Sequence, residues 1–336
     1  MSDQNHDVIV IGGGHAGTEA AWAAAHLGAR TAMITFRRDT IGQMSCNPAI
    51  GGIGKGQMTR EIDALGGLMG LVADETAIQF RMLNRRKGPA VWAPRAQSDR
   101  MAYAAAVVRY LEDCPNLTII EAGVETVEVG PLPARERETA DVRSRVTGVT
   151  LTDGTSITAP TVIVTSGTFL NGLMHTGAAQ TPGGRIGEPA ATGLSKSLHK
   201  LGLKLGRLKT GTPPRIHRDS VDFSSVTEQP GDENPVPFSF MHDAPSQQQV
   251  SCWITYTNPQ VHDLIRANLD RAPLFSGQIE SLGPRYCPSI ETKIMRFAEK
   301  ERHQVFLEPE AATATGSTPT ASVHRCRKTC SGASCR

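Results

Sequence analysis

The residues best suited to chemistry lie in two glycine-rich stretches near the start of the sequence. The first has the spacing G-x-G-x-x-G and consists of Gly12, Gly13, Gly14, His15, Ala16 and Gly17. The second, "MSCNPAIGGIGKG" from Met44 to Gly56, places Cys46 just before a loop with an almost bare backbone. Backbone amides in such loops bind phosphate and other anions, and a thiol beside them is placed for nucleophilic or acid–base work.

The elements around the first stretch predict a dinucleotide-binding unit. An apolar strand at Asp7–Ile11 precedes it, and an alanine-rich helix from about Thr18 to Leu27 follows, before a second strand at Thr31–Thr35. In this context the first glycine permits a tight turn, the second lets a pyrophosphate approach the backbone, and the third lets helix and strand pack closely. No acid ends the second strand, where a ribose ligand usually lies, so Glu19 in the helix is the alternative acid toward a flavin.

Short strands replace this pattern further along the chain. Alternation from Asn116 onward predicts a β-meander with a hairpin at Asp153-Gly154, and an apolar strand follows at Thr161–Val164. Residues 206–282 contain proline-punctuated strands, "GRLKTGTPPRI", "PVPFSFM" and "VSCWITYTN", and then a helix near Pro259–Leu269. The predicted fold class is α/β: an FAD-binding Rossmann-like domain of the two-dinucleotide-fold type, with an inserted small α+β domain.

Composition and charge narrow the class of protein. The 336 residues are 39% hydrophobic and 20% charged, without a transmembrane run, and the strand at Asp7 leaves no room for a signal or transit peptide. We therefore expect a cytoplasmic protein. The net charge is only +2, and a basic, acid-free tail from Ala311 supplies more than that, so charge gives no argument for nucleic acid. The odd, scattered cysteines predict no disulfide framework: Cys46, Cys114, Cys252, Cys287, Cys326, Cys330 and Cys335.

Longer motifs resemble the N-terminal half of the MnmG/GidA family. They are "VIVIGGGHAGTEAA", "DTIGQMSCNPAIGGIGKG", "DALGGLMG", "IQFRMLN", "KGPAV", "RAQSDR", "GTFLNG", "GRLKTGTPPRI", "NLDRAP" and "GPRYCPSIETKIMRF". The resemblance implies an FAD- and NADH-dependent enzyme that adds carboxymethylaminomethyl-type groups to the 5-carbon of the tRNA wobble uridine. It also implies methylenetetrahydrofolate as one-carbon donor, an MnmE-type GTPase partner, a homodimer and no membrane association.

The resemblance also assigns site residues. Cys46 and Cys287 match the family's two thiols, one to add to the 6-carbon of uracil and one to move protons, with the order left open. Gly12–Gly17 would hold the FAD pyrophosphate, and Val124 would contact the adenine through its backbone. A segment associated with nicotinamide comprises Gly283, Pro284, Arg285, Tyr286 and Lys293. The glycine loop after Cys46, with Lys55 nearby, would favour a thiolate and cradle anions.

Other reactive or charged residues have plainer interpretations. Cys114 and Cys252 read as small core residues. A basic run could meet RNA phosphates or form a solvated face, and both alternatives stay open: Arg81, Arg85, Arg86, Lys87, Arg95 and Arg100. Trp92 stands where relatives often have a basic residue, which weakens the RNA interpretation. His324 and the tail cysteines have no usual zinc spacing, so we predict no metal site.

The predicted domains are 1–205 for the FAD-binding unit, 206–282 for the insertion and 283–310 for a return to the FAD-binding unit. Residues 311–336 lack hydrophobic periodicity and are expected to be disordered. A shifted reading of Ser317–Cys330 yields the family's "YPNGISTSLPEDV", so we predict a frame change after about Glu310 and an impaired, truncated enzyme. Alternatives are a folate-dependent tRNA uracil methyltransferase-like protein, a generic NAD(P)H flavin oxidoreductase, or a non-catalytic remnant.

Overall fold

A computed structural model describes residues 5–132, 144–177, 179–245, 248–279, 289–312 and, for the backbone alone, 320–324. Its core element is a parallel sheet of four strands in the order β10-β1-β2-β6. The strands are β1 (Val8–Ile11), β2 (Thr31–Thr35), β6 (Leu117–Glu121) and β10 (Thr161–Val164). β2 is buried along its whole length, as expected for a central parallel strand with both faces covered. The predicted Rossmann-like α/β fold is confirmed.

Two helices pack against this sheet. Helix α1 (His15–His26) begins three residues after Gly12, the first residue of the glycine turn. Helix α4 (Arg100–Glu112) is capped by the residue before it, Asp99. The Asp99 carboxylate accepts the backbone N–H groups of Met101 and Ala102, both at 3.0 Å. This side-chain cap satisfies amide groups that the first turn of a helix leaves unpaired. Apolar residues of the helices and of β1 and β2 share one buried cluster, which fixes the position of the glycine turn.

Between β2 and α4 in the sequence, the chain forms a second layer that was not predicted. Helices α2 (Lys55–Ala64) and α3 (Leu68–Thr76) accompany a three-stranded antiparallel sheet in the order β3-β5-β4. The strands are β3 (Ala49–Gly51), β4 (Ala77–Leu83) and β5 (Ala93–Ser98). This layer holds the Met44–Gly56 stretch, because β3 and the start of α2 are both part of it.

The β-meander predicted from Asn116 onward is present only from Val124, because Leu117–Glu121 is β6 of the parallel sheet. It consists of β7 (Val124–Pro131), β8 (Ser144–Leu151) and β9 (Ser156–Thr158), paired antiparallel in that order. Gly154 has φ +87° in the tight turn between β8 and β9, a conformation that favours glycine. A short hairpin, β11 (Leu173–Thr176) with β12 (Ala179–Pro182), and helix α5 (Thr192–Lys200) follow.

The rest of the described chain builds a five-stranded antiparallel sheet in the order β13-β17-β16-β15-β14. Its members are β13 (Arg215–His217), β14 (Thr227–Gln229), β15 (Cys252–Tyr256), β16 (Gln304–Pro309) and β17 (Thr320–His324), and its helices are α6 (Pro259–Arg266) and α7 (Ile290–Arg296). The sheet confirms strands in "GRLKTGTPPRI" and "VSCWITYTN" and the helix at Pro259.

Two features of this sheet differ from the sequence predictions. β16 pairs with β15, so the 283–310 segment adds its strand to this sheet and not to the parallel sheet. β17 pairs with β16 and β13, so five tail residues that were expected to be disordered form a strand. "TASVH" contains β-branched residues, and β16 offers it an open edge, which local composition alone does not reveal. The remaining tail residues beyond Ala312 lie outside the described residues.

The "PVPFSFM" segment is not a strand. The buried carboxylate of Asp74 on α3 accepts the backbone N–H groups of Phe238 at 2.7 Å and Ser239 at 2.8 Å, and Asp63 on α2 accepts that of Phe240 at 2.8 Å. Burial raises the pKa of Asp74, and these hydrogen bonds act in the opposite direction. Two acids of the second layer thus satisfy backbone groups that a strand would have paired in a sheet, and they attach the later segment to the earlier one.

Candidate functional site

The glycine turn after β1 combines close packing with open space. A Cβ added to Gly17 would lie 1.8 Å from the carbonyl oxygen of Gly12, and Gly12 itself has φ +112°. At Gly14, by contrast, an added Cβ meets nothing within 4 Å, and the backbone there is extended. The turn is therefore closed toward the protein and open at the N-terminus of α1, where a phosphate would be bound.

Val124, which is also expected to contact the cofactor, lies at the carboxyl edge of the parallel sheet, and Thr165 lies at the same edge. Thr165, which follows β10, donates its hydroxyl to the carbonyl of Ile11 at 2.7 Å. Val124, which begins β7, is buried and follows Gly123, where an added Cβ would lie 2.9 Å from the ring of Phe36. Phe36 comes directly after β2. Ligands of open α/β sheets bind at this edge, so the placement of Val124 fits a backbone contact to an adenine.

Glu19 has a structural partner instead of a free carboxylate. Its carboxylate accepts the backbone N–H groups of Leu68, at 3.0 Å, and Met69, at the start of α3. Burial raises its pKa, while these backbone hydrogen bonds counteract that rise. Glu19 therefore caps a helix, and the idea that it serves a flavin loses its support.

The segment before the second glycine stretch lies against the first glycine turn. The backbone N–H of Gly42 donates to the carbonyl of Gly13 at 2.9 Å, four residues before Cys46. The pKa of the half-buried His15 is lowered by burial and, to a smaller extent, by the charge of Lys55 at the start of α2. The sequence did not predict the hydrogen bond, because Gly13 and Gly42 are 29 positions apart.

The amides of the second stretch are already used by the protein. The N–H of Gly52 donates to the carbonyl of Pro94 at 2.9 Å, that of Gly54 to the side chain of Gln57 at 3.1 Å, and that of Gly56 to the carbonyl of Gly52 at 2.7 Å. An added Cβ at Gly51 would lie 2.2 Å from the Pro94 oxygen. Glycine is required here because the chain's own backbone approaches, which differs from the expected anion cradle.

Cys46 itself is exposed, and its thiol has a defined direction. The Sγ donates to the carbonyl of Gly211 at 3.1 Å. Arg215, in the same segment as Gly211, donates through Nη2 to the carbonyls of Ser45, at 3.3 Å, and Cys46, at 3.0 Å. Arg185 donates to the hydroxyl of Ser45 at 3.2 Å. Two guanidinium groups and one carbonyl therefore surround the Ser45–Cys46 peptide.

Two acids at the end of β16 complete this arrangement from the other side: Glu308 lies on the strand, and Glu310 directly follows it. Glu308 accepts Asn47 Nδ2 at 3.0 Å and forms an ion pair with Arg95, and it is 2% exposed. Glu310 accepts Arg215 Nε at 2.9 Å and lies 3.6 Å from Arg100. The sequence reasoning missed these residues, although acids at alternate positions of a strand share one face and were a readable signal.

The predicted nicotinamide-associated residues are only partly visible. Gly283, Pro284, Arg285, Tyr286 and Cys287 lie outside the described residues, so their roles stay predictions. Lys293 is on α7, where its charge helps to lower the pKa of His303, a change caused mainly by burial. Lys293 is therefore on one of the two helices that accompany the five-stranded sheet.

The thiols expected to be structural are buried. Cys252 donates to Gln79 Oε1 at 3.1 Å, and burial raises its pKa to about 12. Cys114 lies 3.4 Å from the His26 ring nitrogen, and burial raises its pKa as well. Neither environment favours a thiolate, so among the described cysteines only Cys46 is exposed.

The basic run divides into internal and external members. Arg95 and Arg100 pair with the β16 acids, Arg81 donates to the carbonyl of Pro230, and Arg85 pairs with Asp232 at 2.9 Å. Arg86 and Lys87 are exposed. Most of the run is therefore engaged within the protein. Trp92 is exposed and donates to the carbonyl of Arg85 at 3.2 Å.

The described residues include neither a membrane-spanning helix nor a cluster of metal ligands. None of the described helices is long and apolar enough to span a bilayer. No group of three or more His, Cys, Asp or Glu side chains among the described residues is arranged to hold a metal ion.

The chain is similar to proteins of one family. The family model described as "Glucose inhibited division protein A" (GIDA) matches residues 7–320. Proteins named tRNA uridine 5-carboxymethylaminomethyl modification enzyme MnmG are 56% identical over 306 residues in Rhodopirellula baltica and 53% over 307 residues in Salinibacter ruber. Each alignment covers 91% of this chain, but only 47% and 45% of the relative.

A solved structure agrees with this assignment. The structure of Aquifex aeolicus GidA in its form II crystal is 45% identical and superposes with a TM-score of 0.83, covering 96% of this chain and 50% of that one. The chain thus spans about half the length of the relatives that it matches. Because the family model matches well over half of its residues, the chain belongs to the GidA family.

Proposed function

We propose that this chain carries the cofactor-binding half of an enzyme that modifies the wobble uridine of tRNA at the 5-carbon of uracil. The group added is of the carboxymethylaminomethyl type, and the proposed cofactors are FAD, NADH and methylenetetrahydrofolate as one-carbon donor. The proposed partners are tRNA, an MnmE-type GTPase and a second copy of the chain. The names of the R. baltica and S. ruber relatives support this substrate and this modification.

One observation carries the proposal: the segment that leads to the exposed thiol is hydrogen bonded to the dinucleotide turn. Gly42 donates its N–H to the carbonyl of Gly13, and Cys46 follows Gly42 by four residues. A reaction that joins a one-carbon unit to uracil needs a thiol and a redox cofactor within reach of one substrate. A generic flavin oxidoreductase would have no use for that thiol.

The residues present fit an FAD. The open space at Gly14 can receive a pyrophosphate, the N-terminus of α1 supplies amides and partial positive charge, and Val124 lies at the correct sheet edge. Gly12–Gly17 and Val124 would hold the cofactor. When bound, FAD supplies the redox chemistry of the one-carbon transfer, for which NADH is the proposed reductant.

The thiols would act on the pyrimidine. Addition of a thiolate to the 6-carbon places negative charge on the 5-carbon, which then attacks the one-carbon electrophile. A second acid–base group takes the proton from the 5-carbon, and the C6–S bond then breaks to restore the ring. Cys46 and Cys287 are proposed for these two roles.

The test compares serine variants in a full-length protein whose reading frame is restored past Glu310. Cys46→Ser and Cys287→Ser should bind FAD and oxidise NADH, yet lose wobble-uridine modification on the order of 100-fold or more. Modified nucleosides are measured by mass spectrometry in tRNA from cells that lack the native enzyme and express each variant.

Cys114→Ser and Cys252→Ser are the matched controls, since both thiols are buried. They should keep modification and lose only some stability. Normal modification by both the Cys46 and the Cys287 variants would refute the proposed roles. Absence of modification by the restored wild type would refute the proposed function and favour a non-catalytic remnant.

A further inference from the structure

A single arginine connects the Cys46 peptide to a buried acid that directly follows β16. We propose that Arg215 is a positioning residue for Cys46: it holds the thiol loop through backbone carbonyls, and Glu310 holds Arg215 in place. The proposal rests on the proposed function only for what the thiol does to a substrate. Its effect on the thiol itself can be measured without any reaction on tRNA.

The hydrogen bonds of Arg215 use all three nitrogens of its guanidinium group. Nε donates to Glu310 Oε1 at 2.9 Å and Nη1 to the carbonyl of Pro213 at 3.0 Å. Nη2 donates to the carbonyls of Ser45 and Cys46. Because the guanidinium is planar and rigid, fixing one edge on Glu310 also fixes the direction of the other edge. A lysine would carry the charge but could not reproduce these directions.

The ion pair between Arg215 and Glu310 is largely shielded from water. The Glu310 side chain is 7% exposed and that of Arg215 is 23% exposed. Charges in such surroundings act on a nearby thiol more strongly than surface charges do, since solvent screens them less. Further charged groups around residues 45–47 and these partners include Arg185, Glu308, Arg95 and Arg100. Arg215 contacts both the Cys46 backbone and Glu310.

The second attachment of the thiol comes from the same segment. Gly211, whose carbonyl accepts the Cys46 S–H, lies four residues before Arg215. The Pro213 carbonyl, which Arg215 binds, lies between them. The Arg215 side chain therefore orders both the loop that carries the thiol and the turn whose carbonyl accepts the hydrogen bond of the thiol.

The test is the pH profile of Cys46 alkylation by iodoacetamide, followed by mass spectrometry of the Cys46 peptide in the purified chain. Arg215→Met removes a positive charge beside the thiol and should move the profile about 0.5 pH unit or more to higher pH. Glu310→Gln, at nearly constant volume, releases Arg215 from its fixed position, so it should also move the profile to higher pH, by less than Arg215→Met. Arg215→Lys keeps the charge but not the directions of the hydrogen bonds, so its profile should stay shifted to higher pH.

Two internal controls accompany each measurement. Cys114 and Cys252 are buried, so their alkylation reports unfolding in the same sample. Arg109→Met removes an exposed pair with Glu75, 2.6 Å long, and should leave the Cys46 profile unchanged. If Arg215→Met unfolds by this criterion, the isosteric Glu310→Gln variant decides the question.

A shift to higher pH in Glu310→Gln would support the proposal, because loss of a negative charge alone would move the profile to lower pH. Unmoved profiles, a shift to lower pH in Glu310→Gln, or a wild-type profile in Arg215→Lys, with Cys114 and Cys252 still protected, would overturn it. If the shifts appear but the restored wild type modifies no tRNA, the positioning role stands and the proposed function falls.

Discussion

The two glycine stretches use the same residue type for opposite purposes. In the first, Gly14 leaves a space that no atom of the described chain fills within 4 Å of an added Cβ. In the second, Gly51 and Gly56 each leave room for the carbonyl of Pro94, which an added Cβ would approach to 2.2 and 2.4 Å. The first stretch therefore makes room for a ligand, and the second makes room for the protein itself.

This difference shows that glycine content alone does not identify a ligand site. A turn with unfilled space and extended backbone at the helix start is suited to an external phosphate. A turn whose amides are hydrogen bonded within the protein is suited to fixing the residues beside it, and here these include Cys46. The comparison divides the site into a part for a cofactor and a part that fixes a thiol.

The largest effect should come from filling the second stretch. Gly51 has φ +87° and would clash with Pro94, so Gly51→Ala should lower the free energy of unfolding by about 3 kcal/mol. Gly66 has φ +86° and no neighbour within 4 Å, so Gly66→Ala should cost only about 1 kcal/mol of strain. Urea denaturation measures both. Equal losses would mean that the Pro94 contact adds nothing to strain.

Filling the first stretch should affect binding and not folding. Gly14→Val places a side chain in open space at an ordinary extended φ of −79°, so stability should change little. FAD affinity should fall on the order of 10-fold or more, which is about 1.4 kcal/mol. Titration followed by flavin fluorescence measures it, with Gly14→Ala as the smaller intermediate. Unchanged affinity in Gly14→Val would remove the phosphate role from this turn.

The smallest effect concerns His15, which belongs to the first stretch. Its pKa is lowered by burial and by Lys55, so its contribution to stability is present above the unfolded value of 6.5 and is lost as pH falls through the lower folded value. His15→Gln should therefore flatten the fall of unfolding free energy below pH 6.5, by at most about 1.4 kcal/mol per pH unit for one proton.

Urea denaturation at several pH values gives that slope for each protein. The buried histidines His262 and His303, whose pKa values are also lowered by burial, are present in both proteins, so the difference isolates His15. Parallel slopes would show that the second stretch does not keep His15 neutral.

The parts of the fold that local pattern controls were predictable. β2 and β10 lie at the predicted residues, and the hairpin at Gly154 follows from a turn that needs positive φ. Helix α1 begins at His15, three residues before the predicted start, because the glycine turn passes directly into the helix. The hydrophobic period and the turn residues were sufficient to predict these elements.

The thiol site was not predictable in the same way. Its partners Gly211, Arg215 and Glu310 come from distant segments, and no local period connects them to Cys46. "PVPFSFM" was read as a strand because its apolar residues suggest one, yet the carboxylates of Asp63 and Asp74 bind its amides. Tertiary hydrogen bonds overrode local propensity in both cases.

The glutamates of β16 also set the order in which the molecule can be completed during synthesis. Asn47 and Glu308 are hydrogen bonded across 261 residues of sequence. A ribosome that adds roughly 5–20 residues per second needs on the order of 10 to 50 seconds to make the intervening chain. β1 and β2 are made before Asn47, and β6 and β10 are made within that interval. A nascent chain can therefore assemble its parallel sheet while Cys46 still lacks its final surroundings.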